Sequence, residues 1–228
     1  MLQLIRQEFL NKFLSLKTIV LVVFLTWAAY DSASTAETIE IVLGTGESSS
    51  PYILAFKYML ALIGYLLITI FTYDAVSKDA ETRSLRLLLP MMKREELIIG
   101  KYLANILYWF AVTIVPMLTI TVIAQQFFIA EYLAVFLFIC TSVSLVFLIS
   151  AVLLSSRWTL LINIIIGILM PIWVVIAFFG ENLTSHIARF TAPGYMLVER
   201  EPHLILIQLV FILISLFIVV ALFRKRDY

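Results

Sequence analysis

Long apolar runs alternate with short polar segments along the whole chain. Six runs are long enough to cross a bilayer, a crossing that takes about 20 apolar residues for roughly 30 Å of hydrocarbon. They are too long and too uniformly apolar for the strands of a transmembrane barrel. The pattern predicts an all-α integral membrane protein, one transmembrane domain over residues 1–228, with six spans at about 15–36, 52–73, 102–124, 132–154, 158–180 and 204–223.

The first run leaves two interpretations open. Its uninterrupted part, Thr18 to Tyr30, is 13 residues long and also suits a signal peptide, with Ser34-Thr35-Ala36 as the cleavage site. The residues before it favour a retained span, because apolar side chains recur there at spacings of three and four, opposite a polar side. We therefore expect an amphipathic helix over residues 1–14, lying in the membrane interface, followed by span one.

Lysines and arginines are distributed unequally between the two sides of the predicted membrane. Thirteen of the sixteen lie in the N-terminal segment, the second and fourth connections and the C-terminal tail. Only Arg189 and Arg200 lie on the other side, and Lys57 lies within span two. Because cytoplasmic segments carry the excess of positive charge, we expect a multi-pass protein of the cell membrane with both termini in the cytoplasm. We call the basic side the inner side and the opposite side the outer side.

Composition agrees with a lipid environment. The chain is 63% hydrophobic and 14% charged, with a mean hydropathy of +1.06, whereas soluble domains carry about 25% charged residues. A net charge of +1 gives no electrostatic reason to expect a nucleic-acid partner. The single cysteine, Cys140, excludes a disulfide within the chain.

The inner segment between spans two and three, residues 74–101, is unusually rich in charge. Asp79 and Arg83 are four residues apart, a spacing that supports a helix. Pro90 ends that helix, and a second helical pattern runs from Met91 into span three. The segment mixes acidic and basic residues with a leucine stripe, which favours a docking surface for a protein over a patch for anionic lipid.

The order of residues in this segment resembles the cytoplasmic loop of ABC type-2 exporter permeases. The resemblance rests on Asp79 and Glu81, then Arg83-Ser84-Leu85 where the family favours Gly-Thr-Leu, then Leu87-Leu88-Leu89-Pro90, Arg94 and Gly100-Lys101. The missing glycine departs from the family pattern. The six-span layout, the first amphipathic helix and the basic tail extend the resemblance to the whole chain.

The resemblance implies that this loop is a coupling element, which binds in a groove of a cytoplasmic ATPase over residues 78–97. It further implies two ATPase copies, a second permease that is identical or paralogous, and a substrate moved outward. The residues implied in coupling are Asp79, Glu81, Arg83, Leu85, Leu88, Leu89, Pro90, Arg94, Glu95 and Glu96.

No nucleotide-binding motif accompanies this layout. The segment closest to a phosphate-binding loop, GTGESSS at 44–50, has no lysine and lies on the outer side. We therefore expect no enzyme activity and no cofactor or metal in this chain, with ATP and Mg bound by the partner ATPase. Glu95-Glu96 also invites comparison with an intramembrane protease, but His186 and His203 lie on the other side of the predicted membrane.

Two functions stay open at this point. One is a permease that forms half of a translocation pathway for an amphiphilic peptide, a lipid-linked molecule or a drug. The other is a membrane anchor or sensor that docks an ATPase for signalling or assembly. ATP-dependent movement of a solute distinguishes the two.

Polar and aromatic residues within the spans are candidates for the pathway or for a subunit interface. In the family, spans two and five face the partner subunit and the pathway, which adds aromatic residues of those spans. For Lys57 the alternative is a side chain that extends outward to the interface. The candidates are Lys57, Tyr58, Tyr65, Asn163 and Trp173. The resemblance also implies short helices in the outer segment 181–203.

Overall fold

A computed structural model describes residues 2–35, 51–81, 94–153, 155–199 and 202–225. These residues form helices α1 Leu2–Phe13, α2 Leu16–Ser34, α3 Pro51–Met59, α4 Tyr65–Thr72, α5 Asp74–Glu81, α6 Arg94–Ala124, α7 Ile129–Leu153, α8 Ser156–Phe179, α9 Leu183–Thr191, α10 Pro193–Val198 and α11 Pro202–Lys225. A π-helical turn, Leu60–Gly64, joins α3 to α4 without a break.

Six of these helical segments are long and apolar enough to cross a membrane. Their bounds are Leu16–Ser34, Tyr52–Thr72, Glu95–Ala124, Ile129–Leu153, Ser156–Phe179 and His203–Arg224. The all-helical, six-span prediction is therefore confirmed, and the chain is a multi-pass membrane protein. Span three begins earlier than the predicted residue 102, because its helix continues into the charged inner segment as far as Arg94.

The first helical run packs as an integral part of the bundle. Helix α2 lies along α6 and buries Leu21, Leu25 and Ala29 against it and its neighbours. The hydroxyl of Ser15 caps its start by accepting a hydrogen bond from the backbone N–H of Thr18, at 3.3 Å. Helix α2 thus has the length and composition of a membrane span and packs within the bundle.

Span four is the centre of the bundle. Helix α7 contacts α4, α5, α6, α8, α10 and α11. In its most apolar stretch of 18 residues, 67% of the residues are buried, whereas the corresponding share is 22% in spans five and six. Its almost unbroken apolar sequence therefore faces protein on nearly all sides, whereas spans five and six present broad apolar faces at the periphery.

Two short helices fill the last outer segment, where the sequence resemblance implies them. Helix α9 packs on α8, and α10 packs against α7 and the π-helical turn of span two. Gly194 permits this approach, because a Cβ at that position would lie 2.7 Å from the carbonyl oxygen of Ala61. The outer segment is thus built into the bundle.

Candidate functional site

A buried ion pair joins spans two and four near their outer ends. The Nζ of Lys57 lies 3.0 Å from Oε2 of Glu131, and the two side chains are 0% and 2% exposed. The same Nζ donates a hydrogen bond to the carbonyl of Val198, at 3.2 Å. We call Lys57, Glu131 and Val198 the outer polar junction.

Helix ends explain why these groups meet. Glu131 lies in the first turn of α7, where the helix dipole favours a carboxylate. Val198 is the last residue of α10, and carbonyls at a helix C-terminus have no partner within the helix. The ammonium of Lys57 binds both groups. Its side chain is fully buried among protein groups, and both of its partners lie at helix ends on the outer side.

Span two contacts span five through a second polar link. The hydroxyl of Tyr65 donates a hydrogen bond to Oδ1 of Asn163, at 2.8 Å, and both side chains are buried. The Nδ2 of Asn163 donates to the carbonyl of Thr159, one turn earlier in the same helix, at 2.8 Å. Both partners were named from the sequence, and the structure brings them into direct contact.

The remaining two candidates of this group lie apart from these links. Tyr58 is 36% exposed, and its ring lies 6.1 Å from that of Phe178 in span five. The indole N–H of Trp173 donates to the hydroxyl of Thr191 in α9, at 2.7 Å. The five predicted residues therefore connect span two, span five and the outer helices, but they do not line one common cavity.

The inner extension of span two is attached to spans four and five. The backbone N–H of Ser77 donates to the hydroxyl of Ser150, at 3.1 Å. The carboxylate of Glu81 accepts a hydrogen bond from the backbone N–H of Ser156, at 3.2 Å, and so caps the first turn of α8. Glu81, predicted to couple to an ATPase, thus contacts the start of span five.

Two acidic residues lie in the first turn of span three, on the same inner side of the bundle. Glu95 forms an ion pair with Arg224 of span six, at 2.5 Å, with both side chains substantially exposed. Glu96 is half-buried in the first turn of α6. Of the other predicted coupling residues, Asp79 and Arg94 are described in their backbone alone. Arg83, Leu85, Leu88, Leu89 and Pro90 lie outside the described residues.

Helix α1 is held against span three by polar contacts that the sequence reasoning missed. The ammonium of Lys101 lies 2.9 Å from Oε1 of Glu8, and Lys12 donates to Oδ1 of Asn105, at 2.8 Å. We call these four residues the inner polar junction. Glu8 and Lys12 are one turn apart on the polar side of α1, and this polar side of the helix was the available signal. The pattern alone does not show that this side faces span three.

Glu131 is the other residue that sequence reasoning missed. It directly precedes the predicted start of span four, on the outer side, where a carboxylate is expected to contact water and to need no partner. The available signal was its position at the outer end of span four, because Lys57 also lies near the outer end of its own span. Opposite charges at one level in two spans are candidates for a pair, since a lone charge in hydrocarbon is costly.

The histidines lie away from the acidic pair at the start of span three. His186 is in α9, His203 begins span six, and both are exposed on the outer side. Within the residues that the structure describes, no group of histidine, cysteine, aspartate and glutamate has the geometry of a metal site.

Comparison with known proteins adds no relative to this description. No model of a known protein family matches the sequence, and no curated protein matches it.

Proposed function

We propose that this chain is the transmembrane permease subunit of an ATP-binding cassette exporter of the ABC type-2 kind. In this proposal it forms half of a translocation pathway, and a second permease, identical or paralogous, forms the other half. Two copies of a cytoplasmic ATPase bind residues 78–97 and supply ATP hydrolysis. The substrate class is an amphiphilic peptide, a lipid-linked molecule or a drug.

The observation that carries the proposal is helical continuity on both sides of the inner segment. Span two is followed, after Tyr73, by α5, which ends at Glu81, and α6 runs from Arg94 to Ala124 as one helix of 31 residues. A force applied between these helices acts directly on spans two and three. Rigid helices can transmit such a displacement across the membrane, whereas a flexible connection would absorb it.

The contacts of α5 support the same mechanism. Ser77 is bonded to span four and Glu81 to the start of span five. Displacement of α5 would therefore act on spans four and five together with span two. The Tyr65–Asn163 hydrogen bond connects the same two spans deeper in the bundle. Closure of the ATPase would rock spans two, three and five and open the pathway alternately to the two sides.

Co-purification tests the proposal at its first step. The chain is isolated in mild detergent from the membrane of its own host, and mass spectrometry identifies what accompanies it. We expect an ATPase at equal stoichiometry, together with a second permease chain if the pair is heteromeric. A chain that is isolated alone, or with a partner that is not an ATPase, would contradict the proposal.

A charge reversal locates the docking surface. The double variant Arg94→Glu and Glu95→Lys is expected to lose the co-purified ATPase and ATP-dependent transport. Because Glu95 also binds Arg224, the control is Arg224→Glu, which breaks that ion pair and leaves the inner segment unchanged. We expect the control to retain the ATPase. If the double variant retains both the ATPase and transport, docking at this segment is refuted.

A transport assay distinguishes the permease from the anchor or sensor alternative. In that function the ATPase would co-purify and the double variant would lose it, but no solute would move on addition of ATP. Reconstitution of the complex in vesicles, with ATP on the ATPase side, makes this distinction.

A further inference from the structure

Three of the six spans contain a break in the regular α-helix, and the three breaks lie at the same distance from the outer ends. They are the π-helical turn Leu60–Gly64 in span two, Pro116 in span three and Pro171 in span five. Leu60, Pro116 and Pro171 are each eight residues from the outer end of their span, which is Tyr52, Ala124 and Phe179 respectively.

Each break weakens the helix over one turn. A proline has no N–H to donate to the carbonyl four residues earlier, so the helix lacks one backbone hydrogen bond in Val112–Pro116 and in Gly167–Pro171. A π-helical turn likewise replaces the α-helical pattern of hydrogen bonds. Kinks in long helices occur at these two features. We call Leu60–Gly64, Val112–Pro116 and Gly167–Pro171 the break layer.

The three segments of the break layer are also neighbours in the bundle. A Cβ at Gly167 would lie 2.3 Å from Cδ2 of Leu66, which follows the π-helical turn closely. Leu60 and Gly64, the two ends of that turn, line a small cavity together with Thr113 of span three. The breaks of spans three and five therefore both adjoin the break of span two.

The other three spans are unbroken. Spans one, four and six contain no proline within their bounds, and each is regular α-helix over the residues that the structure describes. Such a helix resists bending, because each N–H in its interior is bonded to the carbonyl four residues earlier. The breaks thus occur in the three spans that the proposed function sets in motion.

Outward of the break layer, each broken span is attached to the outer end of span four or to the outer helices. In span two this attachment is the outer polar junction. In span three the carbonyl of Met117 accepts a hydrogen bond from the hydroxyl of Tyr132 in span four, at 2.9 Å. In span five the carbonyl of Ala177 accepts one from Nε of Arg189 in α9, at 3.0 Å. We call these outer parts the outer block.

Inward of the break layer, the same three spans are attached to one another. Tyr65 of span two donates a hydrogen bond to Asn163 of span five. The hydroxyl of Thr72 in span two accepts one from the indole N–H of Trp109 in span three, at 3.0 Å. These inner parts form an inner block, which is followed directly by α5 and the start of α6.

The inner block is also connected to the unbroken spans one and four by hydrogen bonds between neutral groups. These join Ser77 to Ser150, Tyr102 to Ser144 and Tyr108 to Thr18. Neutral hydrogen bonds are weaker than charge-assisted ones such as those of the outer polar junction. The inner block can therefore change its partners on spans one and four more readily than the outer block can leave span four.

We propose that the break layer is a hinge, about which the inner block of spans two, three and five tilts relative to the outer block. This hinge rests on the proposed function for the source of its motion, an ATPase bound at the inner segment. The displacement is not absorbed at the layer, because the helices on either side of it are bonded to one another. It changes the angle between two blocks.

Three variants that restore a regular helix test the hinge, and we call them the straightened variants. Pro116→Ala and Pro171→Ala supply the missing N–H. Deletion of Ile63 removes one residue from the π-helical turn and converts it into an α-helical one. The matched controls are Ile63→Ala, which keeps the residue, and Pro202→Ala, at the first position of α11, where a helix needs no N–H.

Distances in the chain alone, in nanodiscs, measure the hinge without the ATPase. Spin labels are introduced as cysteines at Leu161 of span five and Phe217 of span six, both exposed, in a Cys140→Ala background. Leu161 lies about 9 Å inward of Gly167, so a tilt of about 20° moves it by about 3 Å. The distance distribution should be broader by about this amount in the wild type and both controls than in the straightened variants.

A second label pair and thermal unfolding make this comparison specific. Val152 and Phe217, exposed on the unbroken spans four and six, should give the same width in every variant. The straightened variants should unfold at the wild-type temperature or above, because each gains regular backbone hydrogen bonding. Since they alter three different spans, a variant that unfolds at a lower temperature leaves the other two to decide.

The complex with its ATPase shows whether transport uses the hinge. Each straightened variant should retain the ATPase and hydrolyse ATP, but lose most of the transport per ATP hydrolysed. Equal widths in the wild type and the straightened variants would overturn the hinge, and so would narrower widths with unchanged transport. A wild-type chain without an ATPase refutes the proposed function instead, and the widths in the chain alone still decide whether the break layer bends.

Discussion

The outer and inner polar junctions use the same pairing of charges at different degrees of burial. At the outer junction, Lys57 and Glu131 are 0% and 2% exposed, and the pair joins spans two and four and the end of α10. At the inner junction, Lys101 is 6% exposed but Glu8 is 31% exposed. The Glu95–Arg224 pair, at the inner ends of spans three and six, is 41% and 66% exposed. The exposed fraction of the side chains therefore rises from the outer junction to the inner junction and again to the Glu95–Arg224 pair, although all three pairs are in direct contact.

This difference in burial distinguishes an ion pair that is part of the packed interior from ion pairs whose members can exchange each other for water. A charge that loses its partner inside the bundle finds no water to replace it, so removing one member of the outer pair alone is costly. An exposed pair exchanges its partner for water at little cost. The inner ends of the spans can rearrange when a partner protein binds, whereas the outer junction holds as a unit.

The largest effect is expected from breaking the outer pair at one member. Glu131→Gln leaves the ammonium of Lys57 buried and uncompensated, which should lower the free energy of unfolding by about 3–5 kcal/mol. The measurement is denaturant or thermal unfolding in mild detergent. The double variant Lys57→Met and Glu131→Leu removes both charges and should recover most of this loss. A loss for the single variant below about 1 kcal/mol would show that the pair is solvated.

A smaller effect is expected at the inner junction. Glu8→Gln removes the charged acceptor of Lys101 and should cost about 1.5 kcal/mol, the low end for a hydrogen bond to a charged group, because Glu8 is partly exposed. Gln7→Ala, an exposed neighbour on the same helix, is the control and should change little. The loss should also shrink at high salt. A loss as large as that for Glu131→Gln would contradict the gradient.

The smallest effect is expected at the exposed pair. Arg224→Ala should change the free energy of unfolding by less than about 1 kcal/mol, and salt should abolish the difference. The same unfolding measurement checks it. A loss of several kcal/mol would show that this contact is buried in the assembled protein, for example against a second subunit.

Much of the fold can be predicted from the sequence, because backbone N–H and C=O groups in hydrocarbon must be hydrogen-bonded within the protein. A run such as 132–154 has to be a helix in lipid, and the observed span Ile129–Leu153 differs only at its ends. Charge interrupts the apolar pattern at 95–101, so the span itself was predicted to begin at residue 102. The helical pattern was expected to run into it from Met91, and the observed helix α6 begins at Arg94 and includes Glu95, Glu96 and Lys101.

The candidate site was predictable in part. Spans two and five were expected to provide it, and Tyr65 and Asn163 do contact each other. The partner of Lys57 was not found, since pairing depends on which spans are neighbours and how they are rotated. The π-helical turn Leu60–Gly64 changes the rotation of span two, and no pattern of apolar residues predicts it.

The central claim is that ATP hydrolysis by an ATPase bound at the inner segment moves spans two, three and five relative to span six. Spin labels at Phe179 and Leu206, both exposed near the outer ends of spans five and six, report this motion as a distance. The labels are introduced as cysteines in a Cys140→Ala background, in the complex isolated with its ATPase. The account predicts different distance distributions with ADP and with ATP plus vanadate. Identical distributions in a complex that hydrolyses ATP would contradict it.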